Sequence, residues 1–377
     1  MTCVVWCWGS ELSRSRSLEK ARARDLDIPF EGTTGSLNAI TDVVGVEVGH
    51  TTLISGDGPL RIGRGPVRTG VTAVLPRGKE SNDPTFAGWF SLNGCGEMTG
   101  TTWIEESGFL EGPVVITNTH SVGTVRDAVV AWQLKHFQRG VNPYFLPVVA
   151  ETYDGYLNDI NGFHVKENHV FEALDQSTSG PVAEGNVGGG TGMICYDFKG
   201  GIGTASRKLG ESAGGYILGV LAQCNYGVRN QLLIAGVPVG LEIPENTITV
   251  KDSGSIIIVI ATDAPLLPHQ LKRLARHASM GIARNGSISR NTSGDLFIAF
   301  STANPRIARS LENTNATVLP NERMNPLFEA CIHAAEESVI NALVAAETMT
   351  GIDGHTVMAI PHDRLRQVMK KYNRLTN

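Results

Sequence analysis

Residues 255–261, Ser-Ile-Ile-Ile-Val-Ile-Ala, constrain this chain more than any other stretch. β-Branched side chains at every position from Ile256 to Ile260 favour an extended strand. The run is far shorter than the ~18 apolar residues of a membrane helix. Both alternating faces are apolar, so the strand must be covered on both sides and lie between layers. Runs at 43–48, 71–75, 113–117, 216–224 and 296–301 read as further strands bounded by glycine or proline. Helices are predicted over Val122–His136, Pro268–Arg284 and residues 326–348. In the last, Leu327, Ala330, Ala334, Leu343 and Ala346 keep the spacing of a buried stripe, and Pro326 takes a permitted first-turn position. The pattern is α/β, with stacked sheets covered by helices.

The length, 377 residues, suits either two domains or one large α/β unit. No internal repeat or Pro/Ser-rich linker divides the chain, so residues 25–377 are read as a single domain. Residues 1–24 are read as a poorly ordered extension: the apolar stretch 3–8 is too short for a signal-peptide core, and Glu11 and Glu19 argue against a transit peptide. A net charge of −5 excludes a nucleic-acid or anionic-membrane surface. Charged residues are only 18%, which implies that some surface is buried against other subunits. The six cysteines show no disulfide or zinc spacing and are read as mostly buried thiols of a cytoplasmic protein.

Histidines are scattered, with no HExxH and no cluster at metal spacing, so no metal or organic cofactor is expected. His120 reads as a buried, hydrogen-bonded structural histidine. The glycines of residues 185–192 resemble a phosphate loop, yet no Gly-Lys-Ser/Thr follows, and a strand rather than a helix is predicted at 193–197. A backbone-crowded turn near a substrate pocket is the alternative.

Glycine precedes serine at four places, and only Gly254-Ser255 opens directly into a long apolar run. A serine at the start of a buried central strand is held rigidly, as an N-terminal nucleophile requires. For self-cleavage the hydroxyl must reach the carbonyl of its own preceding residue, and glycine offers the least steric resistance there. Hydrolysis of the resulting ester would leave Ser255 with an α-amine of pKa ~7.7–8.0, able to serve as general base for its own hydroxyl. Taken alone, a Gly-Ser turn before a strand is also ordinary.

Its neighbours extend the pattern: Asn38-Ala39-Ile40-Thr41-Asp42 with Gly45-Val46-Glu47-Val48-Gly49-His50; Gly96-Glu97-Met98-Thr99-Gly100; and Thr117-Asn118-Thr119-His120-Ser121-Val122-Gly123. Val148-Val149-Ala150-Glu151-Thr152-Tyr153-Asp154-Gly155, the glycines of 185–192 and Asn225-Tyr226-Gly227 follow in order. With these segments the chain from about Ala23 to Thr348 resembles the L-aminopeptidase/D-Ala-esterase/amidase family, which includes the β-peptidyl aminopeptidases. The resemblance implies a four-layer αββα sandwich, similar to the ornithine acetyltransferases. It also implies a precursor cut between Gly254 and Ser255 into subunits 1–254 and 255–377, with Ser255 as the nucleophile of a serine aminopeptidase acting on small peptides, amides or esters. Oligomers of the cut heterodimer, tetramers or larger, are implied as well.

Other roles follow from the resemblance one residue at a time. Asn225 would donate to the developing oxyanion, although Asn-Tyr-Gly by itself reads as a turn. Ser293 and Asp295, two apart and on one face of an early-starting strand, would bond near the nucleophile's amine; Ser-Gly-Asp by itself reads as a turn. Glu151 would hold the protonated substrate amine and Tyr153 would touch the tetrahedral intermediate, in a segment after a strand at 144–149 that otherwise reads as a solvated loop. Asp154 is the rival for the amine. An acyltransferase of the ornithine acetyltransferase type and a non-enzymatic peptide-binding protein are the competing functions.

Overall fold

A computed structural model describes residues 20–137, 143–248, 254–310 and 312–376. The strands are β1 (Glu47–Ser55), β2 (Val67–Leu75), β3 (Thr85–Gly94), β4 (Phe109–Leu110), β5 (Val114–Asn118), β6 (Val148–Thr152), β7 (Gly201–Lys208), β8 (Ile217–Asn225), β9 (Gly254–Thr262) and β10 (Ser293–Ser301). They form a four-stranded sheet of order β1-β2-β5-β6 and a six-stranded sheet of order β4-β3-β10-β9-β8-β7. β5/β6 and β9/β10 pair in parallel, and the other pairs within these two sheets are antiparallel. The principal helices are α1 (Val122–His136), α2 (Glu167–Asp175), α3 (Pro268–Arg284) and α4 (Asn325–Val344).

Alternation along the central strands explains how these elements stack. On β9, Ile257, Val259 and Ala261 join Val48, Val74, Ile116 and Val148 of the four-stranded sheet in one core, while Ile256, Ile258 and Ile260 face Leu271, Leu274 and Ala334 of α3 and α4 in another. On the far side of the four-stranded sheet, Val71, Val115 and Val149 pack against Val125, Val129 and Trp132 of α1 and Leu174 of α2. The chain is therefore α/β, its mixed sheets packed with helices.

The start of β9 sits between β8 and β10. Register pairs Ser255 with Asn225 on one side and Gly294 on the other, and pairs Gly254 with Ser293. Residues far apart in sequence thus share one sheet end.

Several expectations are corrected. The strand expected at 43–48 begins at Glu47, because a turn around Gly45, with φ of 91°, closes through Val46 N to Val43 O. The helix expected to 348 ends at Val344; Glu347 N is taken by Asn186 Oδ1 at 2.9 Å, which peels the chain away. The strand expected at 193–197 is only Ile194–Cys195, since Tyr196 and Asp197 turn with positive φ. Residues 1–19 of the expected extension lie outside the described residues. Residues 20–24 are held: Ala23 is buried and donates to Asn341 Oδ1 at 3.0 Å, Arg24 pairs with buried Glu337 at 2.7 Å, and Arg22 pairs with Glu184 at 2.6 Å. Among the described cysteines Cys195, Cys224 and Cys331 are buried, whereas Cys95 is exposed. No helix of the described residues is long and apolar enough to cross a membrane.

Candidate active site

Ser255 is 5% exposed, held by its place in the middle of the six-stranded sheet. Its Oγ donates to the carbonyl oxygen of Gly254 at 2.7 Å and accepts from Gly294 N at 3.2 Å. The hydroxyl therefore lies against the peptide that the resemblance marks for cleavage. A Cβ at position 254 would approach Tyr226 Cα to 3.0 Å and Asn225 O to 3.1 Å. Close approach of neighbouring backbone thus makes glycine the fitting residue here.

Ser293 and Asp295 belong to β10 itself, which begins three residues earlier than its apolar pattern. Ser293 Oγ donates to Asp295 Oδ1 at 2.6 Å, and Ser289 Oγ donates to the other carboxylate oxygen. Burial raises the Asp295 pKa, while the two hydroxyls and the Ile256 amide pull it back. Ser289 was not expected: it sits in a loop with φ of 48°, and nothing in Ser-Ile-Ser marks it as a partner of an acid six residues on.

Asn225 ends β8, with both amide atoms engaged. Its Oδ1 accepts Ile194 N at 2.8 Å and its Nδ2 donates to Tyr153 O at 2.9 Å. Tyr153 itself is 40% exposed. Glu151 lies within β6 rather than in a solvated loop, and is 3% exposed. One carboxylate oxygen accepts Glu97 N at 3.0 Å and the other accepts the Thr119 hydroxyl. Burial raises its pKa against these two bonds. Thr119 is a second residue that spacing does not reveal, because β5 must pair with β6 before it faces Glu151.

Tyr153, Asn225, Gly254 and Ser293 line one cleft, together with Tyr156, Ile194 and Tyr226. Ser255, next in the chain to Gly254, is buried and is not itself among the residues that line the cleft. Glu151 and Asp295 are not on the cleft surface. Gly96 lies between Glu151 and the start of β10: a Cβ there would sit 3.1 Å from Glu151 Oε1 and 3.2 Å from Gly294 Cα. Asp154 is turned away: it is buried, pushed up to about 6 by that burial, and accepts Asn158 Nδ2 at 3.0 Å. His120, expected to be buried, is exposed, with its ring 6.1 Å from that of Phe163.

The glycines of 185–192 do not line this cleft. The amides of Gly188 and Gly189 are taken by the hydroxyls of Thr52 and Thr72, and a Cβ on Gly189 would lie 2.2 Å from Gln223 Oε1. The run is a crowded turn between the sheets, not a phosphate cradle. Among the described residues no group of three or more His, Cys, Asp or Glu is arranged to hold a metal.

The family model for Peptidase family S58 matches residues 38–357, spanning every one of these side chains. The chain belongs to that family. It is a serine aminopeptidase on an Ntn-hydrolase-like α/β fold. The S58 chain is 54% identical to the β-peptidyl aminopeptidase BapA of Sphingosinicella microcystinivorans over 97% of its own length and 96% of that protein. Among solved structures it resembles the L-aminopeptidase D-Ala-esterase/amidase of Ochrobactrum anthropi, described as a prototype for the serine aminopeptidases and a variant of the Ntn-hydrolase fold. That likeness has a TM-score of 0.89 and 51% identity, over 94% of this chain and 99% of that one. A Burkholderia sp. β-aminopeptidase gives a TM-score of 0.86 and 47% identity, over 93% and 99%.

Proposed function

We propose that this S58 protein is made as one chain, cuts itself between Gly254 and Ser255, and then uses Ser255 to release N-terminal residues from small peptides, amides or esters. The observation that carries this reading is the Ser255 hydroxyl lying 2.7 Å from the Gly254 carbonyl oxygen. In the cutting step Oγ adds to the Gly254 carbonyl carbon and the C–N bond breaks. The nitrogen of Ser255 keeps the proton lost by Oγ, and an ester forms. Water opens that ester, leaving a carboxylate on Gly254 and a free α-amine beside a restored hydroxyl. In turnover that amine takes the hydroxyl proton as Oγ attacks the carbonyl of the substrate's first residue. The departing amine receives the proton, and water resolves the acyl-enzyme.

Asn225 supports the reading because its amide lies on the cleft beside Gly254, where an oxyanion would form; comparable donors contribute about 3 kcal/mol in other enzymes. Ser293 and Asp295 lie one strand over and are assigned to orient the new amine. Glu151 is assigned the substrate amine, since a buried carboxylate with only two donors gains a charge-assisted bond from an incoming ammonium. Tyr153, at the cleft mouth, is assigned the tetrahedral intermediate. Three tyrosines wall the cleft, and the β-aminopeptidase relatives make β-aminoacyl derivatives a substrate class to test.

The finer architecture is read as a four-layer αββα sandwich in a single domain of residues 25–377, supported by the three cores that alternate helix–sheet, sheet–sheet and sheet–helix. A cytoplasmic oligomer of cut heterodimers is the assembly proposed; exposed Val44, Ile62 and Tyr144 offer apolar surface for it. The acyltransferase and non-enzymatic readings are disfavoured by membership of S58. Intact mass spectrometry of the purified protein, with a panel of L-, D- and β-aminoacyl p-nitroanilides, tests the whole reading. Two fragments meeting at Gly254/Ser255 and nitroaniline release are expected, and an uncut chain that turns over substrate overturns it.

A further inference from the structure

One ammonium group in this fold is spent on main-chain carbonyls. Lys199 is fully buried, and its Nζ donates to the carbonyls of Met193 at 2.6 Å, Gly200 at 2.8 Å and Gly190 at 3.4 Å. Burial pulls its pKa down to about 7, a desolvation cost that a methionine of similar volume would avoid, yet three carbonyls are gathered around the nitrogen. Lys199 ends a short hairpin in which it pairs with Ile194.

The Met193 carbonyl and the Ile194 N–H belong to the same planar peptide unit. Lys199 holds the oxygen end, with Gly200 N as a second donor at 2.9 Å, and the nitrogen end donates to Asn225 Oδ1 at 2.8 Å. A rigid plane fixed at one edge is fixed at the other. A cation on the carbonyl also withdraws electron density and makes the N–H a stronger donor. Flipping the Asn225 amide would set its Nδ2 against the Ile194 N–H, donor to donor. The peptide therefore keeps Oδ1 inward and leaves Nδ2 on the side of Tyr153 O and the cleft.

We propose that Lys199 is a positioning residue for hydrolysis, acting on Asn225 through the Met193–Ile194 peptide. The inference rests on the reading of Asn225 as the donor to the tetrahedral intermediate. It gives a reason for a fully buried lysine in Asp197-Phe198-Lys199-Gly200.

The test is a double-mutant cycle on the cut enzyme, using an aminoacyl p-nitroanilide and rates normalised to cut chains counted by intact mass. Lys199→Met should lower kcat about 10- to 100-fold with KM within about 2-fold, as expected for a misplaced donor. Lys199→Gln, which keeps a neutral donor, should fall between. In an Asn225→Ala background, Lys199→Met should cost less than about 2-fold, because the group it positions is gone. Equal costs in both backgrounds, or no cost in either, overturn the role of Lys199 while leaving Asn225 standing. If Asn225→Ala alone leaves kcat within about 2-fold, the reading of Asn225 is what fails. Should the methionine variant not fold, Lys199→Gln carries the cycle: a larger loss with Asn225 present supports the proposal, and equal loss sinks it.

Discussion

The two large sheets each contain one parallel pair, and they present opposite ends to the site. In the six-stranded sheet the starts of β9 and β10 meet, gathering Ser255, Ser293 and Asp295. In the four-stranded sheet the ends of β5 and β6 meet, gathering Thr119 and Glu151, with Tyr153 just beyond. Parallel strands bring like ends side by side, so each pair delivers a cluster rather than a single group. Both clusters hold a buried carboxyl raised by burial, yet the partners differ. Asp295 is bonded by Ser289 and Ser293 on the nucleophile's side, whereas Glu151 is bonded by Thr119 and the Glu97 amide on the far side of Gly96. In the proposed reading the difference separates two tasks: one sheet end would make and tune the nucleophile, and the other would recognise what it attacks.

The most severe way to break that division is Ser255→Ala, which should leave one full-mass chain and lower turnover by at least about 10⁴-fold. Intact mass and p-nitroanilide assay read both losses. Asp295→Asn should slow self-cutting and turnover together, each about 100-fold, because both use the same hydroxyl; a normal rate of cutting would detach Asp295 from the nucleophile. Glu151→Gln should be one-sided. The Gly254 carbonyl carries no free amine next to it, so cutting should stay within about 2-fold. kcat/KM for aminoacyl substrates should fall about 10- to 100-fold, the value of a lost charge-assisted bond.

The pH dependence sharpens the same point. Glu151 must be ionised to hold an ammonium, and burial raises its pKa. Amine recognition is therefore lost as pH falls through a value above the ordinary carboxylate range, and Glu151→Gln should lack that acid limb. The smallest effect concerns stability. Asp154, pushed from 3.8 up to about 6, binds a proton more tightly when folded than unfolded. Its charge is penalised above pH 6, and the penalty fades as pH falls towards 4. Urea unfolding should show the wild type gaining about 1 kcal/mol relative to Asp154→Asn between pH 8 and pH 5.

Legibility in the sequence differed along the same line. α1 and α3 were readable to the residue; in α3 a long amphipathic pattern with Pro268 in the first turn leaves little choice. β9 was readable from its β-branched run, and with it the place of Ser255. β1 was not, since Gly49, Thr51 and Thr52 make an edge strand without an apolar signature. Gly49 fits there because a Cβ would meet Ala173 O at 1.9 Å, a constraint that exists only once α2 lies against β1. Asn225, Ser293 and Glu151 were found through the order of motifs rather than through their own local chemistry.

By itself the sequence determined the layered α/β class and the strand that opens at Gly254-Ser255, because periodicity is a property of neighbours in the chain; the other side chains of the expected site came only from the resemblance carried by the order of motifs. Tertiary structure alone decided that Ser289 and Thr119 hold the two acids, that Asp154 turns away, that the glycine run packs between sheets, and that Lys199 faces carbonyls instead of water. Each of these depends on atoms brought together across strand pairs and loops, and a hydrogen bond of about 3 Å is set by that approach, not by spacing along the chain.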